Sequence, residues 1–485
     1  MRSIYTILIM VFILVNINGC VTKQPIRSHL DPSATCRKGN NIFCDKEQFY
    51  NLNEKVKIAV LEINDFGIIL NKEGAEHILN YIRAAMESDQ SKPIVNLYIH
   101  GWNHGGTSKD TDLIQFEKAN LAMFRTQKGN DNVKREVIGI YVSWRGQTLP
   151  TKTLNTIATF WGRKAVSEEV GRGELTSFIS RLENIVKPEK IKESTKNGTL
   201  ILVGHSFGAS ALYNAIQAEL VNRFYESLEA QKHDNNQKIQ GFGDMVILLN
   251  PAIQALRFTP LREAVYRNAN ENKDIFKNNL HPNLIVLSTD NDFPVRHLFP
   301  LGRNLAELKN YHGKTPIYVG NTKNVEQASL RELNTTAIGQ YEQYFTHWAT
   351  IENKIEIKNG VLDVKECLGS GAKNPDKIEW LKTLVDKNKN SENIADNTYT
   401  KFLITNNTKD EEYQLHSKIK WDELHGGKSN VSWKRNPYWF VRVNKDFMDG
   451  HNGVWSRNVG CLTLLMLTTD REDAGTQTIF FPVIM

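Results

Sequence analysis

The sequence has few cysteines, little net charge, and neither internal repeats nor a Walker-type phosphate loop. The five cysteines form no Cys-x-x-Cys pair, so the usual zinc and thiol redox motifs are absent. The 60 basic and 54 acidic residues are interspersed and leave a net charge of only +6, which does not indicate a nucleic-acid partner. What remains is a globular composition, with 40% hydrophobic residues in a chain of 485, enough for a large core.

The N-terminus carries the features of an export signal. One basic residue precedes a mostly apolar run over residues 4–15, which is too short for a stable membrane span. Ile17 and Gly19 then lead to Cys20, a pattern that resembles a bacterial lipobox. The resemblance implies cleavage before Cys20 and lipid attachment to its sulfur and new amino group. An ordinary cleaved signal and an uncleaved anchor are the alternatives.

Four cysteines remain after Cys20, an even number in an exported chain. Cys36 and Cys44 are close enough in sequence to close a small loop, and Cys367 could pair with Cys461 across a long one. An oxidising compartment would permit both disulfides. Alternatively, all four are unpaired, small apolar side chains.

Residues 204–208, Gly-His-Ser-Phe-Gly, place a serine between two glycines after a short apolar run at 199–203. Apolar residues at helical spacing follow the pattern: Leu212, Ile216, Leu220 and Phe224. A buried strand, a sharp turn and a helix in this order predict a nucleophile elbow that presents Ser206. A side chain at 204 or 208 would collide with the neighbouring strand or helix in so tight a turn. The alternative is a surface turn with an inert serine.

A second glycine-rich segment, 100–106, follows a predicted strand at 94–99. Acyl transfer needs two N–H donors for the oxygen on which charge develops, and we predict the N–H groups of Trp102 and Phe207. His100 and His104 have a spacing that would suit a metal on a helix. The intervening glycines argue against a helix, so we predict no metal site and a packing role for His100.

Residues 100–102, 142–146 and 204–208 together resemble those of the α/β-hydrolase superfamily, in particular its bacterial serine esterases and lipases. The resemblance covers roughly residues 55–300 and a C-terminal piece from about 436. It implies a Ser–acid–His triad in that chain order. It does not identify the substrate, because one fold hosts many chemistries.

The implied acid should lie on a loop after a later strand. The predicted strand 245–249 offers no carboxylate at its end, whereas 284–287 runs into a loop that contains Asp290 and Asp292. The family often has Val three residues after this Asp, which Asp292 and Val295 match. We therefore favour Asp292 and keep Asp290 as the alternative, although either aspartate could merely cap the next turn.

The histidine comes last in the implied order. The run 438–443 predicts a strand, and His451 follows beside Gly450 on a loop beyond it, where the family places its base. His451 would accept the Ser206 proton while the acid fixes its tautomer. His347 is the alternative, although its surroundings are typical of a partly buried histidine in an aromatic cluster.

Apolar strand patterns alternate with helical ones along most of the chain. They predict an α/β fold, a doubly wound and mainly parallel sheet of the α/β-hydrolase type, with a large insertion before the last core strand. Ligands bind at the carboxyl ends of such strands. The expected division is a signal peptide 1–19, a lipidated tether and lead-in 20–54, the core 55–304, an insertion or cap 305–435, and the C-terminal end of the core 436–485.

The resemblance implies a serine esterase or lipase that works through an acyl-enzyme and needs no metal or organic cofactor. We expect a small-molecule or lipid ester as substrate and a lipid-anchored location in the bacterial cell envelope, at the periplasmic face or the cell surface. An acyltransferase, thioesterase or amidase could use the same site. An inactive envelope interaction protein, with the insertion as its binding surface, is an alternative of another class.

Overall fold

The structure, a computed structural model, describes residues 27–30, 46–87, 92–125, 127, 134–146, 160–188, 196–272, 274–279, 282–306, 313–320, 324–349, 436–456 and 458–460.

Nine strands of the described residues form one sheet, and two more form a separate antiparallel hairpin, β8–β9. In chain order the strands are β1 (Phe49–Asn53), β2 (Val56–Ile63), β3 (Ile94–Ile99), β4 (Val137–Trp144), β5 (Thr199–His205), β6 (Met245–Leu249), β7 (Leu284–Thr289), β8 (Lys314–Tyr318), β9 (Val325–Ser329), β10 (His347–Ala349) and β11 (Tyr438–Val443). The order across the sheet is β1-β2-β4-β3-β5-β6-β7-β11-β10. Eight of these strands are mutually parallel, and β1 pairs antiparallel with β2.

The helices connect successive strands or follow them. They are α1 (Lys72–Glu87), α2 (Thr111–Arg125), α3 (Phe160–Arg172), α4 (Glu174–Val186), α5 (Phe207–His233), α6 (Thr259–Glu271), α7 (Phe299–Ala306) and α8 (Leu330–Thr335). Short 3-10 turns occur at Ala255–Phe258, Ile338–Gln340, Glu342–Tyr344 and Gly453–Trp455, and a π turn at Pro294–Leu298.

Both faces of the sheet are covered, which explains why its strands are almost continuously apolar. All six residues of β3 and all eight of β4 are buried. Adjacent side chains of β2 enter different hydrophobic clusters. Leu61 belongs to the cluster that includes α1, α4, α5 and α6, whereas Val60 belongs to the one that includes α2 and residues 447–459. Strands buried on both faces are typical of parallel sheets, and each fully buried aliphatic side chain contributes about 1.5–3 kcal/mol. The predicted α/β class and mainly parallel sheet are therefore confirmed.

The first part of the interval predicted to be an insertion packs on this core. Ile338 and Phe345 are buried in the main hydrophobic cluster, and β10 adds an edge strand to the sheet beside β11. The hairpin β8–β9 is more exposed. The rest of the interval, 350–435, lies outside the described residues.

Candidate active site

The predicted site residues gather where the strand order changes direction. From β3 the chain crosses through α2 to β4 on one side, and from β5 it crosses through α5 to β6 on the other. Helices α2 and α5 cover opposite faces, so the chain leaves the carboxyl ends of the adjacent strands β3 and β5 in opposite directions. Such switch points are where open α/β sheets bind ligands. Segment 100–106 and Ser206 both lie here.

Ser206 occupies a strained turn between β5 and α5. Its φ of 56° and ψ of −115° lie in a region that residues other than glycine rarely adopt. The turn is held by the Ser206 N–H, which donates to the Leu249 carbonyl at 2.9 Å. The sharp turn predicted from the sequence is therefore present, with the serine at the N-terminus of a 27-residue helix.

The glycines on either side make this turn sterically possible. A Cβ on Gly204 would lie 2.6 Å from the Cα of Ala209, and one on Gly208 would lie 2.1 Å from the Ile99 carbonyl oxygen. Contacts below 3.0 Å with backbone atoms require the chain to move. Helix α5 can thus approach the end of β3 only because position 208 has no side chain.

We expect Gly208→Ala to lower the free energy of unfolding by about 3 kcal/mol, because the new methyl group overlaps a backbone carbonyl. Urea unfolding followed by circular dichroism measures this loss. Gly105→Ala is the matched control, since a Cβ there meets no atom within 4 Å. Equal stability of the two variants would show that the close approach of α5 to β3 does not exist in solution.

The structure brings Ser206, His451 and Asp292 together, although they are far apart in the sequence. Nε2 of His451 lies 2.7 Å from Oγ of Ser206, and its Nδ1 lies 2.9 Å from each carboxylate oxygen of Asp292. A carboxylate only accepts, so Nδ1 carries the proton and Nε2 is left to accept from the serine hydroxyl. This is the tautomer that a general base for Ser206 requires.

Asp292, and not Asp290, contacts the histidine. The Asp292 side chain is fully buried, and its Oδ1 also accepts from the Val295 N–H at 3.0 Å. Asp290 instead bonds through its backbone, with its N–H donating to the Val443 carbonyl and its own carbonyl accepting from Arg296. Of the two aspartates that the sequence left open, the structure places Asp292 against His451, and its role as the acid stays a prediction.

His347 lies on β10 and takes no part in the arrangement. Its ring stacks on that of Trp439 at a centroid distance of 4.1 Å, and its Nδ1 lies 2.7 Å from Oγ1 of Thr346. Burial lowers the pKa of His347 to about 3. The aromatic packing expected for this residue is what the structure has.

Segment 100–106 runs directly against the serine. A Cβ on Gly101 would lie 3.0 Å from Cβ of Ser206, so the backbone here approaches the nucleophile more closely than any other residue type would allow. Trp102 follows, and Phe207 is the first residue of α5, at the positive end of the helix dipole. Phe207 thus directly follows Ser206, and Trp102 directly follows the glycine that approaches it. The role of their N–H groups as oxyanion donors stays a prediction.

His100 is fully buried beneath this segment. Its Nδ1–H donates to the Gly101 carbonyl at 2.8 Å, its Nε2 accepts from the Trp144 N–H at 3.1 Å, and its ring is nearly parallel to the Trp144 indole. His104 instead contacts Asp110 at 3.1 Å. Across the residues that the structure describes, no group of three or more metal-ligating side chains could hold an ion.

Burial lowers the pKa of His100 to about 4, so we expect it to make stability depend on pH. As pH falls below about 6.5 the unfolded chain takes up a proton first, and the folded state loses up to about 3 kcal/mol as pH approaches 4. Urea unfolding of wild type and His100→Gln between pH 7 and 4.5 measures this contribution. Identical pH slopes for the two proteins would contradict it.

Three polar residues near His451 were not predicted. His205 Nε2 lies 2.9 Å from the His451 carbonyl oxygen, the Asn250 amide donates to the same oxygen, and Asn291 contacts Gly450. Burial, followed by the charge of His451, holds the pKa of His205 well below its usual range. One pattern could have indicated them, since each of the three lies within four residues after the end of a predicted strand.

The predictions for the N-terminus and the cysteines fall outside the described residues. These are the signal peptide 1–19, the lipid-bearing Cys20 and the disulfide candidates Cys36, Cys44, Cys367 and Cys461. Within the described segments, no helix is both long and apolar enough to cross a membrane.

Fold and site together define an α/β protein with a hydrogen-bonded Ser–His–Asp arrangement at the carboxyl edge of its sheet. No family model, curated protein or solved structure matches the chain.

Proposed function

We propose that the protein is a serine hydrolase of the α/β-hydrolase type that cleaves carboxylic esters through an acyl-enzyme intermediate. The observation that carries the proposal is the continuous contact from the Asp292 carboxylate through the His451 ring to the Ser206 hydroxyl. A serine hydroxyl is a weak nucleophile unless an adjacent base removes its proton as it attacks, and this geometry supplies such a base.

In the first half of the reaction, Oγ of Ser206 attacks the acyl carbon while its proton passes to Nε2 of His451. The buried Asp292 carboxylate stabilises the resulting imidazolium. The oxygen of the tetrahedral intermediate would be bound by the N–H groups of Trp102 and Phe207. His451 then gives its proton to the leaving alkoxide, which departs as an alcohol and leaves an ester of Ser206.

In the second half, water takes the place of the alcohol. His451 removes one proton from the water, whose oxygen attacks the acyl carbon, and then returns that proton to Oγ as the carboxylic acid leaves. Each cycle consumes one ester and one water and restores the enzyme. No step of this mechanism needs a metal or an organic cofactor.

The burial of the nucleophile bears on how a substrate reaches it. Ser206 exposes none of its surface to solvent, and His451 exposes about a tenth of its side chain. A substrate can meet Oγ only when the segments around it separate. A site that closes over its substrate also excludes water, which strengthens every charge interaction within it.

The same machinery could serve an acyltransferase, thioesterase or amidase, which differ in the acceptor or the leaving group. Competition between water and added alcohols, amines or thiols for the acyl-enzyme separates these activities. An inactive envelope interaction protein, the alternative of another class, would form no acyl-enzyme.

We further propose that the protein acts in the bacterial cell envelope, held by lipid on Cys20, where lipid esters would be accessible substrates. The proposal is supported by the apolar N-terminal run and the lipobox-like residues before Cys20. An intact mass of the mature protein that shows an unmodified Cys20 thiol would rule out the anchor.

Labelling with a fluorophosphonate tests the proposed activity, because this probe reacts covalently only with activated serines. We expect one label per chain, located by peptide mass spectrometry at Ser206, and hydrolysis of p-nitrophenyl esters that is blocked by the label. Ser206→Ala is the control and should neither label nor turn over. Absence of labelling in the wild type, with ester turnover no better than in Ser206→Ala, would favour the interaction protein.

A further inference from the structure

The backbone carbonyl oxygen of His451 accepts two hydrogen bonds from side chains at the ends of neighbouring strands. Nε2 of His205 lies 2.9 Å away, and Nδ2 of Asn250 lies at the same distance. A carbonyl only accepts, so the single proton of the His205 ring is on Nε2. Both side chains are at least 99% buried. The oxygen is therefore fixed from two directions by groups that are themselves held in place.

These donors connect His451 to the other two members of the arrangement. His205 is the last residue of β5 and directly precedes Ser206. Asn250 follows β6, and its Oδ1 accepts from the N–H of Thr289, the last residue of β7. The residues at the ends of β5 and β6 thus bond to the His451 carbonyl, and the end of β7 bonds to Asn250. Asp292 follows β7 on the next loop.

Asn250 can make both contacts because of its backbone. Its φ of 42° lies in the left-handed region, where asparagine is tolerated far better than most residues. The Asn250 N–H donates to the Leu287 carbonyl, which fixes the residue to β7. Its amide then faces the Gly450 and His451 carbonyl oxygens, at 3.2 and 2.9 Å.

The bonds that the residue before His451 makes to Asn291 are more exposed than these. Gly450 has a φ of 66°, and a Cβ built on it would meet nothing within 4 Å. The side chain of Asn291 accepts from the Gly450 N–H and donates to Asp449, but both bonds are exposed. The buried bonds to the His451 carbonyl thus restrain the backbone of this residue, while Asp292 and Ser206 contact the ring itself.

We propose that His205 and Asn250 are positioning residues, which hold the backbone of His451 so that its ring stays within reach of Ser206. The inference rests on the proposed function, because positioning matters for a base that takes the serine proton. A displacement of about 1 Å of a reacting group costs up to about 100-fold in rate.

The chemistry of His205 suits this task. Its Nδ1 has no hydrogen-bond partner and lies beneath Gly101, where a Cβ would come within 2.8 Å of it. A proton on Nδ1 would thus find no acceptor and would place a second charge beside the His451 ring, whose centroid is 4.9 Å away. His205 therefore stays a neutral donor while His451 cycles between neutral and charged forms.

The test compares His205→Gln, which can present an N–H near the position of Nε2, with His205→Leu, which cannot. We expect His205→Leu to lower kcat about 10- to 100-fold with KM changed less than about twofold, and His205→Gln to recover most of the loss. Asn250→Asp, which turns a carboxylate toward two carbonyl oxygens, should lose about 100-fold. All three should still bind one fluorophosphonate per chain at the end point, at a lower rate.

Wild-type kcat in His205→Leu would overturn the inference. The inference would also be overturned if fewer chains of His205→Leu were labelled while kcat per labelled chain stayed at the wild-type value. That outcome reflects misfolding and not a displaced base. Hydrogen exchange of peptides covering 447–456 is an activity-independent readout. If the wild type is inactive, the proposed function fails. Faster exchange in His205→Leu than in His205→Gln would still show that His205 holds the backbone of His451. Equal exchange in both variants and the wild type overturns it.

Discussion

His451→Ala is expected to lower kcat for ester hydrolysis by about 10⁴- to 10⁶-fold, close to the loss in Ser206→Ala. The ring nitrogen 2.7 Å from Oγ of Ser206 is the only group in contact with the hydroxyl that can take its proton, among the side-chain contacts described for that oxygen. Steady-state kinetics with a p-nitrophenyl ester, normalised to folded protein, measures the effect.

His347→Ala is the matched control for this prediction. It removes a histidine of the same chain that stacks on Trp439 and makes no contact with the serine. We expect reduced stability, from the lost ring contact, with kcat per folded chain within about threefold of wild type. A His451→Ala protein that retains a tenth of wild-type activity, or a His347→Ala protein as inactive as Ser206→Ala, would refute the assignment.

Asp292→Asn should lower kcat by about 10⁴-fold while leaving the fold intact. The carboxylate accepts the Nδ1–H of His451 at 2.9 Å and is fully buried. An amide of the same shape would turn an NH₂ group toward Nδ1 and favour the tautomer whose proton is on Nε2, which cannot accept from the serine. It also removes the charge that stabilises the imidazolium.

Asp290→Asn provides the comparison, because it makes the same chemical change two residues away. Asp290 is partly exposed, and its described bonds run through its backbone, which the substitution leaves in place. We expect little change in kcat, and far-ultraviolet circular dichroism of both variants checks the fold. Equal losses in the two variants would mean that general charge, and not contact with His451, explains the effect.

The inner strands of the sheet were predictable because they are buried on both faces, so their sequences are short apolar runs. The predicted limits of β3, β6 and β11 match the structure, and β5 and β7 extend two residues further. The edge strands β1 and β10 and the hairpin β8–β9 were not predicted, and β1 lies within the segment 20–54 expected to be a tether and lead-in. They are short or partly exposed, so their sequences carry no continuous apolar run.

The site residues likewise fall into two groups, those that a local sequence pattern indicates and those that depend on contacts between distant segments. Ser206 lies in a local pattern, and its elbow was predictable from five residues and their flanks. The spacing of Asp292 and Val295 favoured Asp292 over Asp290 but left both open, because the contact depends on a histidine 159 residues away. The bonds from His205 and Asn250 to the His451 carbonyl likewise depend on how three strand ends converge.

The sheet can be completed only late in synthesis, because β11 is the last of its described strands in the chain. β10 precedes β11 in sequence, yet β11 lies between β7 and β10. During N-to-C synthesis, the earlier strands can assemble while β7 remains an unpaired edge, and β10 has no neighbour until residues 438–443 arrive. An open edge of this kind invites association with other nascent chains. Because His451 follows the same late strand, a chain that has not yet paired β11 also lacks the proposed base beside Ser206.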